Sequence, residues 1–213
     1  MQKQVKALLF DMDGTLVNSH GITESAWGSF ARRHNLNLDD VLEVSHGRPS
    51  IETVKIFATS EMDIQIEASL IDRFNLVNCG EVAMAGAKKL LLRLPKNAWA
   101  VVTSASEELA RLRLTRAGLP IPELLIAEDH VAIGKPHPEC YLKAAEELKV
   151  KPEECLVFED APAGVMAANN ANIPVVIIGQ SRFALSLPHL ISVPDFSNIT
   201  AIIENDSINL SLK

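Results

Sequence analysis

The chain has 213 residues, the length of one domain or of one domain with a modest insertion. Hydrophobic residues make up 47% and charged residues 22%, which excludes a disordered or fibrous chain, and no apolar run reaches the ~20 residues of a membrane helix. A net charge of −7 leads us to expect no nucleic acid partner, and without a long apolar run we expect no membrane partner either.

Five short apolar runs, each followed by a helix-like stretch, predict the strands of one sheet. They cover residues 5–10, 98–103, 124–127, 155–159 and 174–178. Their continuous apolarity is typical of parallel strands that helices cover on both faces. Crossover helices are predicted over 107–117, 138–148 and 163–171, the first ended by Gly118 and the last closed by a left-handed Asn172. This alternation predicts a doubly wound, Rossmann-like α/β fold with a parallel sheet.

Residues 16–80 interrupt the alternation. The segment contains no convincing strand, whereas its apolar residues recur at helical spacing, and about 65 structureless residues inside a compact domain would be improbable. We therefore predict an all-helical cap over residues 16–80, inserted into a core domain made of residues 1–15 and 81–213. Beyond Gly179 the pattern is weak, and residues 193–203 are predicted to hold a last strand and helix.

Polar side chains follow four of the predicted strands at the point where each strand ends. In chain order they are Asp11 and Asp13 after the first strand, Thr103 and Ser104 after the second, Lys135 a few residues beyond the third, and Glu159 and Asp160 at the end of the fourth. Ligands of open α/β sheets bind at the carboxyl ends of the strands. The sequence therefore predicts a functional site at this rim.

The segment DMDGT, Asp11–Thr15, is the sharpest signal of the sequence. Two carboxylates two residues apart after a buried strand, followed by Gly14, form a turn in which both can face one ligand. Taken alone, the segment could also be an acidic turn that caps a strand, because Asp and Gly favour turns. The polar residues at the other strand ends favour the functional interpretation.

The whole set suits phosphoryl transfer. A Mg²⁺ ion bound by Asp11 and Asp160 would neutralise the repulsion between a phosphate ester and a carboxylate. Lys135 and Ser104 would bind the phosphate oxygens. Asp11 would attack phosphorus to form an aspartyl-phosphate, and Asp13 would protonate the leaving alkoxide and later accept a proton from water.

The chain resembles the haloacid dehalogenase superfamily phosphatases that carry a helical cap after their first motif. Four segments carry the resemblance in the family's order: DMDGT, VVTS, GKPHPE and FEDAPAG. It implies that Asp11 is the nucleophile and Asp13 the acid and base, and that Asp11, the Asp13 backbone carbonyl and Asp160 hold Mg²⁺, with Glu159 supporting or joining them. The implied phosphate-binding residues are Thr103, Ser104, Ala105 and Lys135.

Within that family, the segments SHGRPS, GKPHPECYLKAA and VFEDAPAG resemble the sugar- and polyol-phosphate phosphatases, among them the glycerol-phosphate and 2-deoxyglucose-6-phosphate phosphatases. The resemblance implies that His46, Gly47 and Arg48 form a substrate-specificity loop that enters the site when the cap closes. The alternative is a solvated loop arginine beside a histidine at a helix end. The implied function is a Mg²⁺-dependent phosphatase of small sugar or polyol phosphate monoesters.

Other functions remain as alternatives. A β-phosphoglucomutase-like mutase shares all four motifs, but Glu107 and Glu108 beside the phosphate-binding segment would repel the second phosphate of its bisphosphate intermediate. A haloacid dehalogenase would not require Asp13, and a phospho-accepting switch would need neither Asp13 nor a cap. The three cysteines, widely spaced and without a C-x-x-C pair, indicate a reducing cytoplasm.

Overall fold

A computed structural model describes residues 2–179, 190–205 and 207–212 of the chain. The strands are β1 (Gln2–Val5), β2 (Ala7–Phe10), β3 (Val17–Asn18), β4 (Val82–Ala83), β5 (Trp99–Val102), β6 (Leu124–Ile126), β7 (Cys155–Glu159), β8 (Val175–Ile178), β9 (Ile191–Val193), β10 (Ile199–Glu204) and β11 (Ser207–Leu212). The α-helices are α1 (His20–Arg33), α2 (Leu38–Ser45), α3 (Ser50–Ile56), α4 (Ile64–Val77), α5 (Ala87–Leu91), α6 (Glu107–Arg116), α7 (Glu139–Glu147) and α8 (Pro162–Asn170).

A six-stranded parallel sheet forms the centre of the molecule, in the order β6-β5-β2-β7-β8-β9. Successive residues of each strand feed two apolar layers. In β2, Leu8 and Phe10 pack on one side of the sheet and Ala7 and Leu9 on the other. Both faces are therefore buried, one under helices and the other under helices and strands β10 and β11, which is why the strands of the central sheet are unbroken apolar runs. The predicted α/β fold with a doubly wound parallel sheet is confirmed.

The three predicted crossover helices form as α6, α7 and α8, with ends within one residue of the predicted ones. Gly118 and Asn172 follow α6 and α8 with φ of 66° and 56°, the left-handed conformation that ends a helix. The predicted first strand is shorter than expected, because Val5 belongs to β1 in a different sheet.

The C-terminal prediction was right about a last strand and wrong about a helix. Residues 193–203 contain the end of β9 and most of β10, and the described part of this stretch holds no helix. Ile199 and Ala201 are buried while Thr200 and Ile202 between them are exposed, a period of two that a strand produces. β10 pairs antiparallel with β11, which pairs with β1, so the two ends of the chain complete one small sheet.

Four helices, α1 to α4, lie between β3 and β4 and are called the helical segment below. They pack around an apolar cluster of their own that includes Trp27, Phe30, Val41 and Val54. The expectation of no strand within residues 16–80 was wrong at one point, since β3 pairs antiparallel with β4 and closes the entry and exit of the segment. The domain limits remain a prediction. Among the described residues, no helix has the length and apolarity to cross a bilayer.

Candidate active site

A cavity of about 360 Å³ lies between the carboxyl ends of the central strands and the helical segment. Its lining from the sheet side comes from the loops after β2, β5, β6 and β7 and from α6: Asp11, Asp13, Gly14, Thr103, Ser104, Ala105, Ser106, Leu109, Arg113, Glu128 and Asp160. The lining from the helical segment includes His20, Thr23, Trp27, His46, Gly47, Arg48 and Asn75. Loops from separate strands meet here because parallel strands all end at this edge of the sheet.

Asp11, at the end of β2, is tied to a buried lysine. Lys135 is 1% exposed and its Nζ donates to Asp11 Oδ1 at 2.7 Å, to Glu159 Oε1 at 2.7 Å and to the Val102 carbonyl at 3.1 Å. All three N–H donors of the ammonium group are thus used inside the protein. The lysine predicted to bind phosphate therefore forms an ion pair with the Asp11 carboxylate.

Glu159 is fully buried at the end of β7, and both of its carboxylate oxygens accept hydrogen bonds from the protein. Oε1 accepts hydrogen bonds from Lys135 and from the Tyr141 hydroxyl at 2.9 Å, and Oε2 accepts them from the backbone N–H groups of Asp160 and Ala161. These contacts fix the loop that carries Asp160. Glu159 therefore organises the rim, and its part in supporting or joining the metal ligands remains a prediction.

Asp11, Glu159 and Asp160 bring carboxylate oxygens within 4.8 Å of one another, three acidic groups against the single charge of Lys135. Burial, together with the neighbouring Glu159, raises the pKa of Asp11 to about 7, and burial with Asp11 and Glu159 raises the pKa of Asp160 well above its usual range. Such a buried excess of negative charge needs a cation to remain ionised. Hard carboxylate oxygens suit Mg²⁺, so the residues present fit a magnesium ion.

Gly14 makes room for Asp160 beside this cluster. Its φ is 83°, and a Cβ atom there would lie 2.0 Å from Asp160 Oδ2. The neighbouring Thr15 donates its hydroxyl to Asp160 Oδ1 at 3.2 Å. The turn after β2 and the loop after β7 therefore fit together only with glycine at this position.

Asp13 lies apart from the carboxylate cluster, on the side of the cavity that faces the helical segment. Its Oδ1 accepts a hydrogen bond from the Ser19 hydroxyl at 2.6 Å and forms an ion pair with Nη1 of Arg113 at 2.6 Å. The metal ligand that the resemblance implies at this residue is its backbone carbonyl, and the acid and base role of its carboxylate remains a prediction.

The segment after β5 is held by internal hydrogen bonds. The buried Thr103 accepts the Ala105 N–H at 3.1 Å through Oγ1, and Ser104 donates its hydroxyl to the Gly47 carbonyl at 2.9 Å. The loop after α2 therefore touches the predicted phosphate-binding segment directly. A phosphate that accepts a hydrogen bond from Ser104 would replace the contact with Gly47.

The predicted specificity loop of the helical segment reaches the cavity with all three of its residues. His46 donates through Nδ1 to the Leu42 carbonyl, which fixes its ring at the end of α2. In the part of the chain that is described, the Arg48 side chain forms no ion pair. Its charge is therefore available to a ligand in the cavity.

The sequence argument against a mutase was drawn from the wrong residues. Glu107 accepts the Arg111 Nε–H at 2.7 Å and contacts His130, and the cavity residues from this stretch are Ser106 and Leu109. Acidic side chains do line the cavity, but they belong to other elements: Glu24 of α1, Asp72 of α4, and Glu128 after β6.

Sequence reasoning missed several residues of the site, chiefly Arg113, Ser19, Asn75 and Tyr141. One signal was available for Arg113, which is a charged residue on the face of α6 that otherwise buries Leu109, Ala110 and Leu114. Ser19 and Asn75 carried no such signal, because short polar residues are common at helix ends and surfaces.

Comparison with known proteins decides the family. The model of the haloacid dehalogenase-like hydrolases matches residues 5–172 of the chain. The chain belongs to this family. The resemblance read from the four motifs is thereby confirmed. In this haloacid dehalogenase-like hydrolase, DMDGT, VVTS and FEDAPAG contribute to the lining of the cavity, and GKPHPE contributes Lys135, which contacts Asp11 from beneath it.

Relatives and structural neighbours of this hydrolase carry related descriptions. Hexitol phosphatase A of Escherichia coli (strain K12) is 42% identical over 178 aligned residues, which cover 81% of this chain and 82% of that protein. Validoxylamine A 7'-phosphate phosphatase of Streptomyces hygroscopicus subsp. limoneus is 39% identical over 184 aligned residues, which cover 79% of this chain and 83% of that protein. A solved β-phosphoglucomutase from Clostridium difficile shares the fold, with a TM-score of 0.75 at 22% identity over 91% of this chain and 92% of that one.

Proposed function

We propose that this hydrolase is a Mg²⁺-dependent phosphatase of small sugar or polyol phosphate monoesters and that it works through an aspartyl-phosphate. One observation carries the proposal: Asp11 and Asp13 line one cavity while separate cationic groups hold them. Among the described residues, the side-chain hydrogen bonds and ion pairs to both carboxylates are made at Oδ1. Oδ2 of each is therefore the oxygen open to a substrate.

The two carboxylates divide the chemistry between them. Oδ2 of Asp11 attacks phosphorus as the ester P–O bond breaks, and the proton on Asp13 passes to the leaving alkoxide. Asp13 then takes a proton from water, whose oxygen attacks phosphorus and releases phosphate from Asp11. Lys135 favours the ionised form of Asp11 at the start of this sequence and when it is restored at the end.

Asp11, Asp160 and the Asp13 backbone carbonyl would hold Mg²⁺, with Glu159 supporting them. A bound Mg²⁺ ion would offset the repulsion between the anionic ester and the carboxylates. The phosphate itself would bind against the segment Thr103–Ala105. The remaining lining of the cavity would contact the alcohol part of the ester.

A hydroxyl-rich alcohol suits the remaining lining. The cavity volume is at the small end of the range for ligand sites, and Glu24, Asp72, Asn75 and Glu128 offer polar groups on this side. The two relatives described above are named for hexitol and validoxylamine phosphates, which agrees with this chemistry.

A phosphosugar mutase is the alternative, and Arg48 is the observation that favours it, because a free cation on the helical segment could bind a second phosphate. The three acidic side chains that line the same region, Glu24, Asp72 and Glu128, oppose a second anion there. The cavity therefore favours hydrolysis.

A phosphate-release screen tests the proposal. The protein is assayed against hexitol, glycerol and hexose phosphates with Mg²⁺ and with EDTA, and the Asp11→Asn variant serves as the control. We expect release that needs both Mg²⁺ and Asp11. Release that survives EDTA or the substitution would contradict the mechanism, and conversion of β-glucose-1-phosphate to the 6-phosphate without phosphate release would show a mutase.

We place the enzyme in the cytoplasm, a compartment that suits its three free cysteines.

A further inference from the structure

Arg113 is a buried arginine that connects Asp13 with the helical segment. It lies on α6 of the sheet-containing part of the chain, and its side chain is 4% exposed. A buried guanidinium group is costly unless its N–H groups are paired, so its partners show what the fold gains from it.

The guanidinium group divides its donors between two sides. Nη1 lies 2.6 Å from Asp13 Oδ1. Nη2 donates to the Asn75 side-chain oxygen on α4 at 2.8 Å and to the Thr23 hydroxyl on α1 at 3.5 Å. One planar group therefore connects the proposed acid and base with two helices of the helical segment.

Neutralising the buried Glu81 does not account for this placement. Arg116 already reaches Glu81 Oε1 at 3.3 Å, whereas Nε of Arg113 is 3.8 Å away and has no hydrogen-bond partner. The short contacts of Arg113 are the 2.6 Å ion pair of Nη1 with Asp13 Oδ1 and the 2.8 Å hydrogen bond from Nη2 to Asn75. Arg113 is thus placed for Asp13 more than for Glu81.

We propose that Arg113 is a positioning residue for Asp13: it holds Oδ1 so that Oδ2 faces the leaving oxygen, and it does so only while α1 and α4 are seated over the site. This inference rests on the proposed function. Ser19 binds the same Oδ1, but its hydroxyl can rotate, whereas a planar guanidinium group anchored at Nη2 fixes the direction of Nη1.

The consequence is a dependence on the leaving group. A sugar alkoxide is strongly basic and needs the proton of Asp13, while 4-nitrophenolate is weakly basic and leaves without it. A displaced Asp13 should therefore slow sugar phosphates by about 100-fold, the scale of general acid catalysis, and 4-nitrophenyl phosphate by less than about threefold. The parameter to compare is kcat/KM, because it ends with the release of the alcohol and is insensitive to the later hydrolysis of the aspartyl-phosphate.

The experiment measures kcat/KM for the full chain with 4-nitrophenyl, phenyl and 4-methoxyphenyl phosphates and with the best sugar phosphate. The variants are Arg113→Met, Arg113→Lys, Asp13→Asn and the double variant of Arg113→Met with Asp13→Asn. Arg111→Met is the matched control, since Arg111 lies two residues away on the exposed face of α6 and pairs with Glu107. Circular dichroism and thermal unfolding establish that each variant is folded.

We expect Arg113→Met and Asp13→Asn to steepen the dependence on leaving-group basicity alike, with the double variant no slower than Asp13→Asn and Arg111→Met unchanged. Equal losses on all four substrates, or a double variant slower by the product of the single losses, would overturn the positioning role. If Arg113→Met fails to fold, Arg113→Lys tests the same dependence of kcat/KM on leaving-group basicity. A wild-type protein that hydrolyses none of the esters would overturn the proposed function, and this inference with it.

The link to the helical segment has its own variant. Asn75→Leu removes the anchor on α4 but leaves the pair between Arg113 and Asp13 in place. We expect the dependence of kcat/KM on leaving-group basicity to steepen here too, but less, with kcat/KM for the sugar phosphate falling about threefold to tenfold. An unchanged slope would show that Arg113 acts on Asp13 without help from α4 and would overturn that part of the proposal.

Discussion

Replacing Lys135 by Met should reveal how much the acidic rim depends on one buried cation. Methionine has a similar length and no charge, so the substitution removes the ammonium group with little change in packing. It breaks two charge-assisted hydrogen bonds of 2.7 Å, to Asp11 and to Glu159, and leaves these two buried carboxylates and the half-buried Asp160 without their neighbouring protein cation.

The expected loss of stability follows from that environment. Removing one partner of a buried ion pair costs about 3–5 kcal/mol, which for a chain of this length lowers Tm by about 10 °C. The loss should depend on pH. The pKa of Asp11 is already raised to about 7 from 3.8 and should rise further without Lys135. Between these two pKa values Asp11 holds a proton in the folded state and has lost it in the unfolded state. Stability therefore falls as the pH rises from 3.8 through the pKa of Asp11 in the folded protein.

The assay is thermal and urea unfolding of the metal-free protein in EDTA at pH 5.5 and pH 8, followed by addition of Mg²⁺. We expect Lys135→Met to lose more stability at pH 8 than at pH 5.5 and to regain more from Mg²⁺ than the wild-type protein does. Lys6→Met is the matched control, because Lys6 pairs with Glu154 at 2.8 Å on the exposed surface. Equal stabilities of the two variants at both pH values would refute the reasoning.

Three further substitutions test other parts of the site. Glu128→Gln should remove a pH dependence of stability, because burial and then the neighbouring Asp72 raise the pKa of Glu128 to about 7. Between pH 5 and pH 8 the free energy of unfolding of the wild-type protein should therefore fall by about 1–2 kcal/mol relative to the variant, a figure reduced for the partial exposure of Glu128 and measured by urea unfolding. Gly164→Ala should cost about 2–3 kcal/mol, because its Cβ would lie 1.5 Å from Glu159 Oε1, whereas Gly21→Ala, with open space, should not destabilise the protein. Arg48→Ala should raise KM for a sugar phosphate far more than for 4-nitrophenyl phosphate.

Each of these has an outcome that contradicts it. A parallel pH dependence in the Glu128→Gln and wild-type proteins would show that Glu128 is ionised normally in the folded state. Equal stabilities of the Gly164→Ala and Gly21→Ala variants would contradict the close approach of Glu159 to α8. Equal changes in KM for both substrates would place Arg48 away from the alcohol part of the ester.

The parallel sheet could be predicted from sequence because its signal is local. A strand buried on both faces must be apolar throughout, as in the fully buried β7, and the polar residues that follow such strands meet at one rim. β10 gave no such signal. Its sequence, ITAIIE, is apolar at four of six positions, and its period of two is set by pairing with β11 at the far end of the chain.

The sequence by itself determined the fold class, the family and the group of acidic residues at the rim, because motif order and buried strands fix these features. The tertiary structure alone decided that Lys135 lies on Asp11 and Glu159 and that Arg113 holds Asp13 from 100 residues away. Such contacts depend on how α6 and the helical segment dock, and docking is set by the summed packing of many apolar side chains, which no short motif records.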